Sequence, residues 1–188
     1  MNLTNYYYYW ANVIPHRICD MIIQYGKALK SNVAITGGLG RDRDLKAQPL
    51  TKKELKDLKK KRDSNICWFN DRWIYKEIQP YVHQANALAG WNFEWDKPYA
   101  EEGPTKGKIR KLSLTVSLSD PQDYKGGELQ FDFRQNDPDK KREIRTCTEI
   151  LPKGSLVVFP SFVWHRVKPI TKGVRYSLVN WNLGWPFK

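Results

Sequence analysis

A histidine, an arginine and a serine near the end of this chain have the residue types of a metal and carboxylate site. They are His165, Arg175 and Ser177, and they lie in stretches rich in strand-forming residues. A neutral imidazole is the commonest nitrogen ligand of redox-active metals, and the planar guanidinium of an arginine fits a carboxylate bidentately. Ser177 lies two positions beyond Arg175, so in a strand both side chains would share one face. The three residues are therefore candidates for holding a metal and one end of a dicarboxylic acid.

The spacing of these residues predicts a β-hairpin. Residues 171–173, Thr-Lys-Gly, are typical of a turn between two strands. If the turn centres on Lys172, His165 and Arg175 are offset by about four residues, roughly 13 Å along strands that rise ~3.3 Å per residue. An elongated diacid could bridge this gap between metal and guanidinium. Spacing alone does not decide the matter, because a lone histidine in a strand is usually structural and a lone arginine is usually at the surface.

The elements that must position these residues are predicted as helices in the first half of the chain and strands in the second. Thr51 and Glu54 form a capping box at one helix start, and Pro15 and Asp71 suit the starts of two others. Between residues 112 and 119 apolar residues alternate with serine and threonine, the period of a strand with one apolar face and one face of small hydroxyls. Further strands are expected at 128–133, 144–151 and 155–159. Helices beside short antiparallel strands predict a sandwich or a barrel.

Composition favours one domain in a reducing compartment. The chain has 188 residues, of which 40% are hydrophobic, enough for one packed core. It has no apolar run near the ~20 residues needed to cross a bilayer, and its first residues lack the pattern of a secretory leader, so we expect no membrane partner. Three widely spaced cysteines fit neither a disulfide framework nor a zinc site, which predicts a cytoplasmic location.

The net charge suggests an acidic partner. It is formally +12, and a basic balance of this size favours binding to nucleic acid or another polyanion. The excess is concentrated at 52–62 and 106–111. Because charge runs are more often solvated faces than binding sites, nucleic acid is a candidate partner and not the leading one. The sequence does not indicate an oligomeric state.

Five stretches of the chain resemble one family of oxygenases. They are 65–92, 110–121, 124–131, 153–161 and 165–177, the last running His-Arg-Val-Lys-Pro-Ile-Thr-Lys-Gly-Val-Arg-Tyr-Ser. Together they resemble the iron(II)- and 2-oxoglutarate-dependent dioxygenases, specifically the prolyl 4-hydroxylase-like, PKHD-type hydroxylases of bacteria and phages. The resemblance implies an α+β, mainly β fold: a double-stranded β-helix, or jelly roll, buttressed by N-terminal helices. It implies one oxygenase domain over 1–188, with helical support in 1–95 and the jelly-roll strands in 110–188.

The resemblance also implies roles for individual residues. His165 matches the distal histidine ligand of iron(II), Arg175 the residue that pairs with the C5 carboxylate of 2-oxoglutarate, and Ser177 the small residue beside it. Leu118 is expected to line the cosubstrate pocket, and Trp181 lies where the family often has a tryptophan on the same strand. The implied reaction uses O2, converts 2-oxoglutarate to succinate and hydroxylates a peptide prolyl or related side chain, with ascorbate as a candidate reductant.

One half of the family's metal site is missing from the sequence. Iron in this class is held by two histidines and one carboxylate, and the family supplies the first two ligands as a His-x-Asp or His-x-Glu pair. The chain has three histidines, and neither His16 nor His83 belongs to such a pair. In the family the pair falls between the segments that here end at Trp95 and begin at Arg110. A stretch of about 25 residues, roughly two strands by typical strand lengths, is absent there. That stretch also carries the strand tyrosine that often helps bind 2-oxoglutarate in the family.

Three interpretations of this absence stay open. The native protein has a stretch that this sequence lacks, or the chain is a natural or engineered deletion variant, or other residues complete the metal site. In the last case the candidates are Glu94, Asp96, Glu101 or Glu102 for the carboxylate and His83 for the second imidazole. Three functions also stay open: an active hydroxylase of a peptide prolyl or similar side chain, a degenerate non-catalytic family member suggested by the missing pair, or a basic polyanion-binding module suggested by the net charge of +12.

Overall fold

The computed structural model describes most of the chain in two units. The described residues are 5–29, 32–33, 51–61, 64–95, 107–133, 139, 141 and 143–187. The smaller unit is 24–69, and the larger comprises 1–23 together with 70–188. The single domain predicted over 1–188 stays a prediction.

Three helices lie where the sequence predicts them. They are α1 (His16–Ala28), α2 (Lys52–Lys61) and α3 (Arg72–Leu88). At the start of α2 the Thr51 amide donates to Glu54 Oε2 at 2.8 Å, and the Glu54 amide donates to Thr51 Oγ1 at 3.2 Å, which confirms the capping box. Asp71 occupies the N-cap position of α3 without a side-chain capping bond. No helix of the described residues has the length and apolar character needed to cross a membrane.

The described strands form antiparallel sheets. They are β1 (Tyr8–Trp10), β2 (Asn32–Val33), β3 (Asn65–Ile66), β4 (Ile109–Ser117), β5 (Tyr124–Gly126), β6 (Leu129–Asp132), β7 (Ile144–Thr146), β8 (Leu156–Pro160), β9 (Trp164–Val167), β10 (Ile170–Gly173) and β11 (Ser177–Gly184). The larger unit contains a sheet of order β1-β8-β4-β11, a sheet of order β7-β6-β9 and the pair β10-β5. The smaller unit contains the pair β2-β3. This arrangement is mainly β with few helices, as the sequence predicts.

One predicted strand is shorter than expected. The sequence predicts a strand over 144–151, but β7 ends at Thr146 and a 3-10 turn follows at Thr148–Ile150. The turn brings Ile150 into the core, where it is 2% exposed, and its carbonyl accepts a 2.6 Å bond from Ser117 Oγ. Burial of one apolar side chain and satisfaction of one buried hydroxyl therefore end the strand early.

The two larger sheets pack against each other through a shared apolar cluster. Its members are Leu129, Phe131, Cys147, Ile150, Val157, Phe159 and Val163. The rings of Phe131 on β6 and Phe159 on β8 meet edge to face with centroids 5.1 Å apart. Thr115 and Ser113 of β4 lie opposite Val157 and Phe159, and directly opposite residues point to the same side of a sheet. The hydroxyl face of β4 is therefore the inner face, and β4 is buried on both sides.

Candidate functional site

His165 lies on the inner face of the sheet β7-β6-β9. It pairs with the buried Phe131, so both side chains point to the same side, and its ring packs edge to face on Phe159 at 4.7 Å between centroids. His165 Nδ1 lies 2.8 Å from the carbonyl oxygen of Val163. Because a carbonyl only accepts, Nδ1 must carry the proton, and Nε2 is left with its lone pair. This tautomer is the one that suits a metal ligand.

Arg175 lies in the connection between β10 and β11, where hydrogen bonds of the next residue, Tyr176, fix the backbone. The Tyr176 carbonyl accepts a 3.1 Å bond from the Leu118 amide, and the Tyr176 amide donates to Ser119 Oγ at 2.7 Å. The guanidinium then reaches Ser177, where Nη1 donates to Oγ at 3.3 Å. Arg175 and Ser177 are therefore in contact, although Arg175 lies outside the strand on which the sequence places both, and their role in binding a carboxylate stays a prediction.

The predicted hairpin between the strands of His165 and Arg175 is wrong. β9 pairs with β6, whereas β10 pairs with β5. The chain changes partner strand at Pro169, which has no amide hydrogen to continue a ladder and whose carbonyl accepts from the Gly127 amide at 3.2 Å. Arg175 follows β10, so the offset of about four residues counted along one hairpin does not describe the site.

Ser177 and Trp181 lie on the inner face of β11. Ser177 pairs with Ser117 and Trp181 with Ser113, and those β4 residues belong to the hydroxyl face that looks toward the second sheet. Leu118 is 3% exposed and lies next to the Arg175 backbone through its bond to Tyr176. The inner face of β11 and the inner face of β9 therefore both bear predicted site residues.

The Arg175 guanidinium is a positive charge without a protein counter-ion among the described residues. The ion pairs there are Arg145–Glu149, Lys153–Asp20 and Lys168–Glu128. Burial lowers the pKa of Arg175, while interaction with the Tyr124 side chain raises it. An arginine stays protonated in proteins, so a half-buried guanidinium of this kind suits an anionic ligand.

The described residues do not complete a metal site. No group of three or more His, Cys, Asp or Glu among them could hold a metal ion. His83 lies on α3 with its ring against Trp95, 5.0 Å between centroids, and it belongs to no such group with His165 or Glu94. Asp96, Glu101 and Glu102 lie outside the described residues. His165 alone therefore does not fit a tightly held iron, although Arg175 and Ser177 fit one end of a dicarboxylate.

Sequence reasoning missed the residues that surround Arg175. Ser119 holds the backbone of Tyr176, the Tyr124 side chain interacts with the guanidinium, and Gly127 lies against the arginine stem. The sequence shows Gly126-Gly127 only as a turn. The one available signal was that Tyr124 lies two residues before Gly126 in a stretch that resembles the family.

A family model places the chain among known oxygenases. The model of the 2OG-Fe(II) oxygenase superfamily matches residues 83–182, which is more than half of the chain. A PKHD-type hydroxylase of Synechococcus sp. strain CC9902 is 39% identical over 49% of this chain and 35% of its own length. A PKHD-type hydroxylase of Pseudomonas fluorescens is 30% identical over 57% of this chain and 44% of its own length. The chain thus spans less than half the length of these relatives.

Two solved structures share the fold. A Pseudomonas putida prolyl-4-hydroxylase superposes with a TM-score of 0.56 at 16% identity, covering 97% of this chain and 95% of that one. The viral collagen prolyl hydroxylase of Paramecium Bursaria Chlorella virus-1, in its 2OG complex, superposes with a TM-score of 0.50 at 14% identity, covering 96% and 97%. These neighbours confirm the predicted jelly-roll fold.

Proposed function

Because the chain belongs to the 2OG-Fe(II) oxygenase superfamily, we propose that it is the hydroxylase domain of an iron(II)- and 2-oxoglutarate-dependent enzyme. The reaction converts 2-oxoglutarate and O2 to succinate and CO2 and hydroxylates a peptide prolyl or related side chain, with ascorbate as a candidate reductant. The observation that carries the proposal is the combination of a histidine whose Nε2 lone pair is free and an arginine with a neighbouring serine donor. The prolyl-4-hydroxylase of Pseudomonas putida supports the choice of substrate class.

Each site residue has a defined task in this proposal. Arg175 and Ser177 bind the C5 carboxylate of 2-oxoglutarate, and Leu118 closes the pocket wall and excludes water. His165 contributes one metal ligand. The remaining ligands must come from residues of this chain outside those that the structure describes. The three cysteines are free, which supports a reducing, cytoplasmic location.

An anaerobic titration with iron(II) and 2-oxoglutarate tests the proposal directly. We expect the visible charge-transfer absorption of a metal-bound 2-oxo acid in the unaltered chain and its loss in His165→Ala. His16→Ala is the matched control, because His16 begins α1 and lies outside the candidate site. Arg175→Ala is expected to weaken 2-oxoglutarate binding by about 10-fold or more, since it removes a charged hydrogen-bond donor. Full absorption in His165→Ala would exclude this histidine as a ligand.

A non-catalytic family member is the second candidate function. It is favoured by one observation, the absence of a metal-binding group among the described residues. The two functions differ in turnover: a hydroxylase forms succinate in an iron-dependent manner, and a non-catalytic member binds 2-oxoglutarate without consuming it. Succinate formation that stops in His165→Ala would exclude the second function. Retained 2-oxoglutarate binding without succinate would exclude the first for this chain.

A further inference from the structure

We propose that a single water molecule binds in the protein interior between helix α3 and the outer face of strand β11. Its binding site is an amide cluster formed by the side chains of Gln79, Asn180 and Asn182, all in the larger unit. The cluster lies on the opposite face of β11 from Ser177 and Trp181. The bound water ties the strand that carries these two residues to the helix behind it.

The strand register places both asparagines on the face of β11 that α3 covers. Asn180 pairs with Leu114 and Asn182 with Leu112, and directly opposite residues point to the same side of a sheet. Gln79 of α3 reaches this face, where its Nε2 donates to Asn182 Oδ1 at 3.2 Å. The three amide groups therefore meet in the contact between helix and sheet.

All members of the amide cluster are buried. The exposed fractions are 9% for Gln79, 7% for Asn180 and 0% for Asn182. The opposite residues Leu112 and Leu114 are both 0% exposed, and their side chains have no polar atom to offer. Because a buried amide group without a hydrogen bond destabilises the fold, each polar atom of the cluster requires a partner.

Three atoms of the cluster have no hydrogen-bond partner among the described residues. They are Gln79 Oε1, Asn180 Nδ2 and Asn182 Nδ2, one acceptor and two donors. Exchanging oxygen and nitrogen in both Gln79 and Asn182 keeps the bond between them and again leaves one acceptor and one donor unpaired. The need for a ligand therefore does not depend on how these two amides are oriented.

Water is the ligand whose hydrogen-bonding groups match this set. Its two lone pairs accept from the two Nδ2 groups, and one of its hydrogens bonds to Gln79 Oε1. A metal cation would meet one oxygen and two repelling N–H groups, and an anion would meet the lone pairs of Oε1. A buried water typically makes about three hydrogen bonds, as many as the cluster provides.

Proton NMR of the unaltered chain tests for the bound water. We expect nuclear and rotating-frame Overhauser cross-peaks between water and the side-chain amide protons of Asn180 and Asn182. Their signs distinguish a water that tumbles with the protein from proton exchange. Asn86 is the internal control, because its Nδ2 donates to the Phe93 carbonyl at 3.0 Å and its Oδ1 accepts from the Phe93 amide at 2.9 Å. Its side-chain amide should show no long-lived water contact.

Asn180→Leu distinguishes a bound water from an unpaired amide, since it replaces one donor by an apolar side chain of similar size. We expect it to lower the midpoint of urea unfolding and to weaken the water cross-peaks of Asn182, because the water loses one hydrogen bond. Asn86→Leu is the matched control: it should lower the midpoint and leave the Asn182 cross-peaks unchanged.

Two results would overturn the inference. One is the absence of water cross-peaks at both Asn180 and Asn182 in the unaltered chain. The other is a higher unfolding midpoint in Asn180→Leu, because removal of a buried amide that has no partner stabilises the fold. The first result needs no variant, so it decides the matter even if Asn180→Leu does not fold.

Discussion

The tautomer of His165 and the orientation of Arg175 are set by neutral partners close in sequence. The Val163 carbonyl holds the proton of His165 on Nδ1, and Ser177 orients the guanidinium of Arg175. Neither partner is ionised, so the positive charge of Arg175 is not neutralised before a ligand binds. At this scale the site is prepared for an anion and for one metal bond.

Gly127 provides a residue-scale test of how Arg175 is positioned. Gly127→Ala should weaken 2-oxoglutarate binding by about 10-fold or more, because the new methyl group displaces the arginine stem. Gly90→Ala is the matched control: its φ is +71°, and a Cβ there meets nothing within 4 Å. Both variants should lose about 1 kcal/mol of stability from backbone strain. Equal 2-oxoglutarate affinity in the two variants, measured by calorimetry, would contradict the positioning role.

Cys147 provides a residue-scale test of pH dependence. Burial, with the nearby Glu149 carboxylate, raises the pKa of its thiol from 9.0 to about 12. Between these values the unfolded chain releases the thiol proton and the folded chain keeps it, so the free energy of unfolding falls as pH rises. We expect urea unfolding to show this loss between about pH 9 and about pH 12, with a shallower slope in Cys147→Ala. Parallel slopes would show that the thiol does not contribute.

At the scale of elements, the site depends on a change of strand partner. β9 carries His165 beside β6, and the chain then leaves that ladder at Pro169 to pair β10 with β5. The Gly126-Gly127 turn makes the change feasible, because a Cβ on Gly126 would collide with the Pro169 carbonyl. As a result Arg175 and His165 are positioned by different strand pairs. A ligand that bridges them must contact the inner faces of both β9 and β11.

The two helix starts with different caps provide an element-scale test. Thr51→Ala should destabilise the start of α2 by about 1 kcal/mol, since it removes the Oγ1 that accepts from the Glu54 amide and donates to the Glu54 carboxylate. Asp71→Ala should cost only a few tenths of a kcal/mol, the range of a charge-dipole interaction, because Asp71 makes no side-chain capping bond to α3. Amide hydrogen exchange in the first turn of each helix measures both effects. A larger effect at α3 than at α2 would contradict this ranking.

At the scale of the whole molecule, both larger sheets of the described structure end on exposed strands. β9 ends one sheet and β11 ends the other, and their inner faces expose Val167 at 49% and Val179 at 45%. Unpaired strand edges favour pairing with a second chain, whereas the net charge of +12 opposes it. The balance between the two should depend on ionic strength. Binding of a polyanion to this positively charged chain stays a prediction.

Self-association in salt is therefore the molecular-scale prediction. Raising NaCl to about 0.5 M should increase the sedimenting mass, because salt screens the repulsion and leaves edge pairing intact. Val179→Lys should suppress the increase by placing a charge on the β11 edge strand. Met21→Lys is the matched control, since Met21 is exposed to a similar extent, 47%, but lies on helix α1 and not on an edge strand. A mass that stays constant with salt would show that these edges are protected.

Local sequence pattern was sufficient to predict the helices, most strands, the capping box and the family. These features depend on the period of apolar residues and on short motifs, such as the alternation from Leu112 to Leu118. The same motifs indicated His165, Arg175 and Ser177 as site residues. They also indicated that the set of metal ligands is incomplete. None of these predictions required knowing which strands are neighbours.

Only the folded chain decided which strands pair and which side chains meet. The hairpin prediction failed because pairing of β10 with β5 depends on a close contact between Gly126 and the distant Pro169. The partnership of Tyr124 with Arg175 joins residues about 50 positions apart in the sequence, a separation at which side-chain contacts are governed by tertiary packing. Residue types thus indicate the chemistry, whereas the contacts that orient them depend on packing across the whole unit.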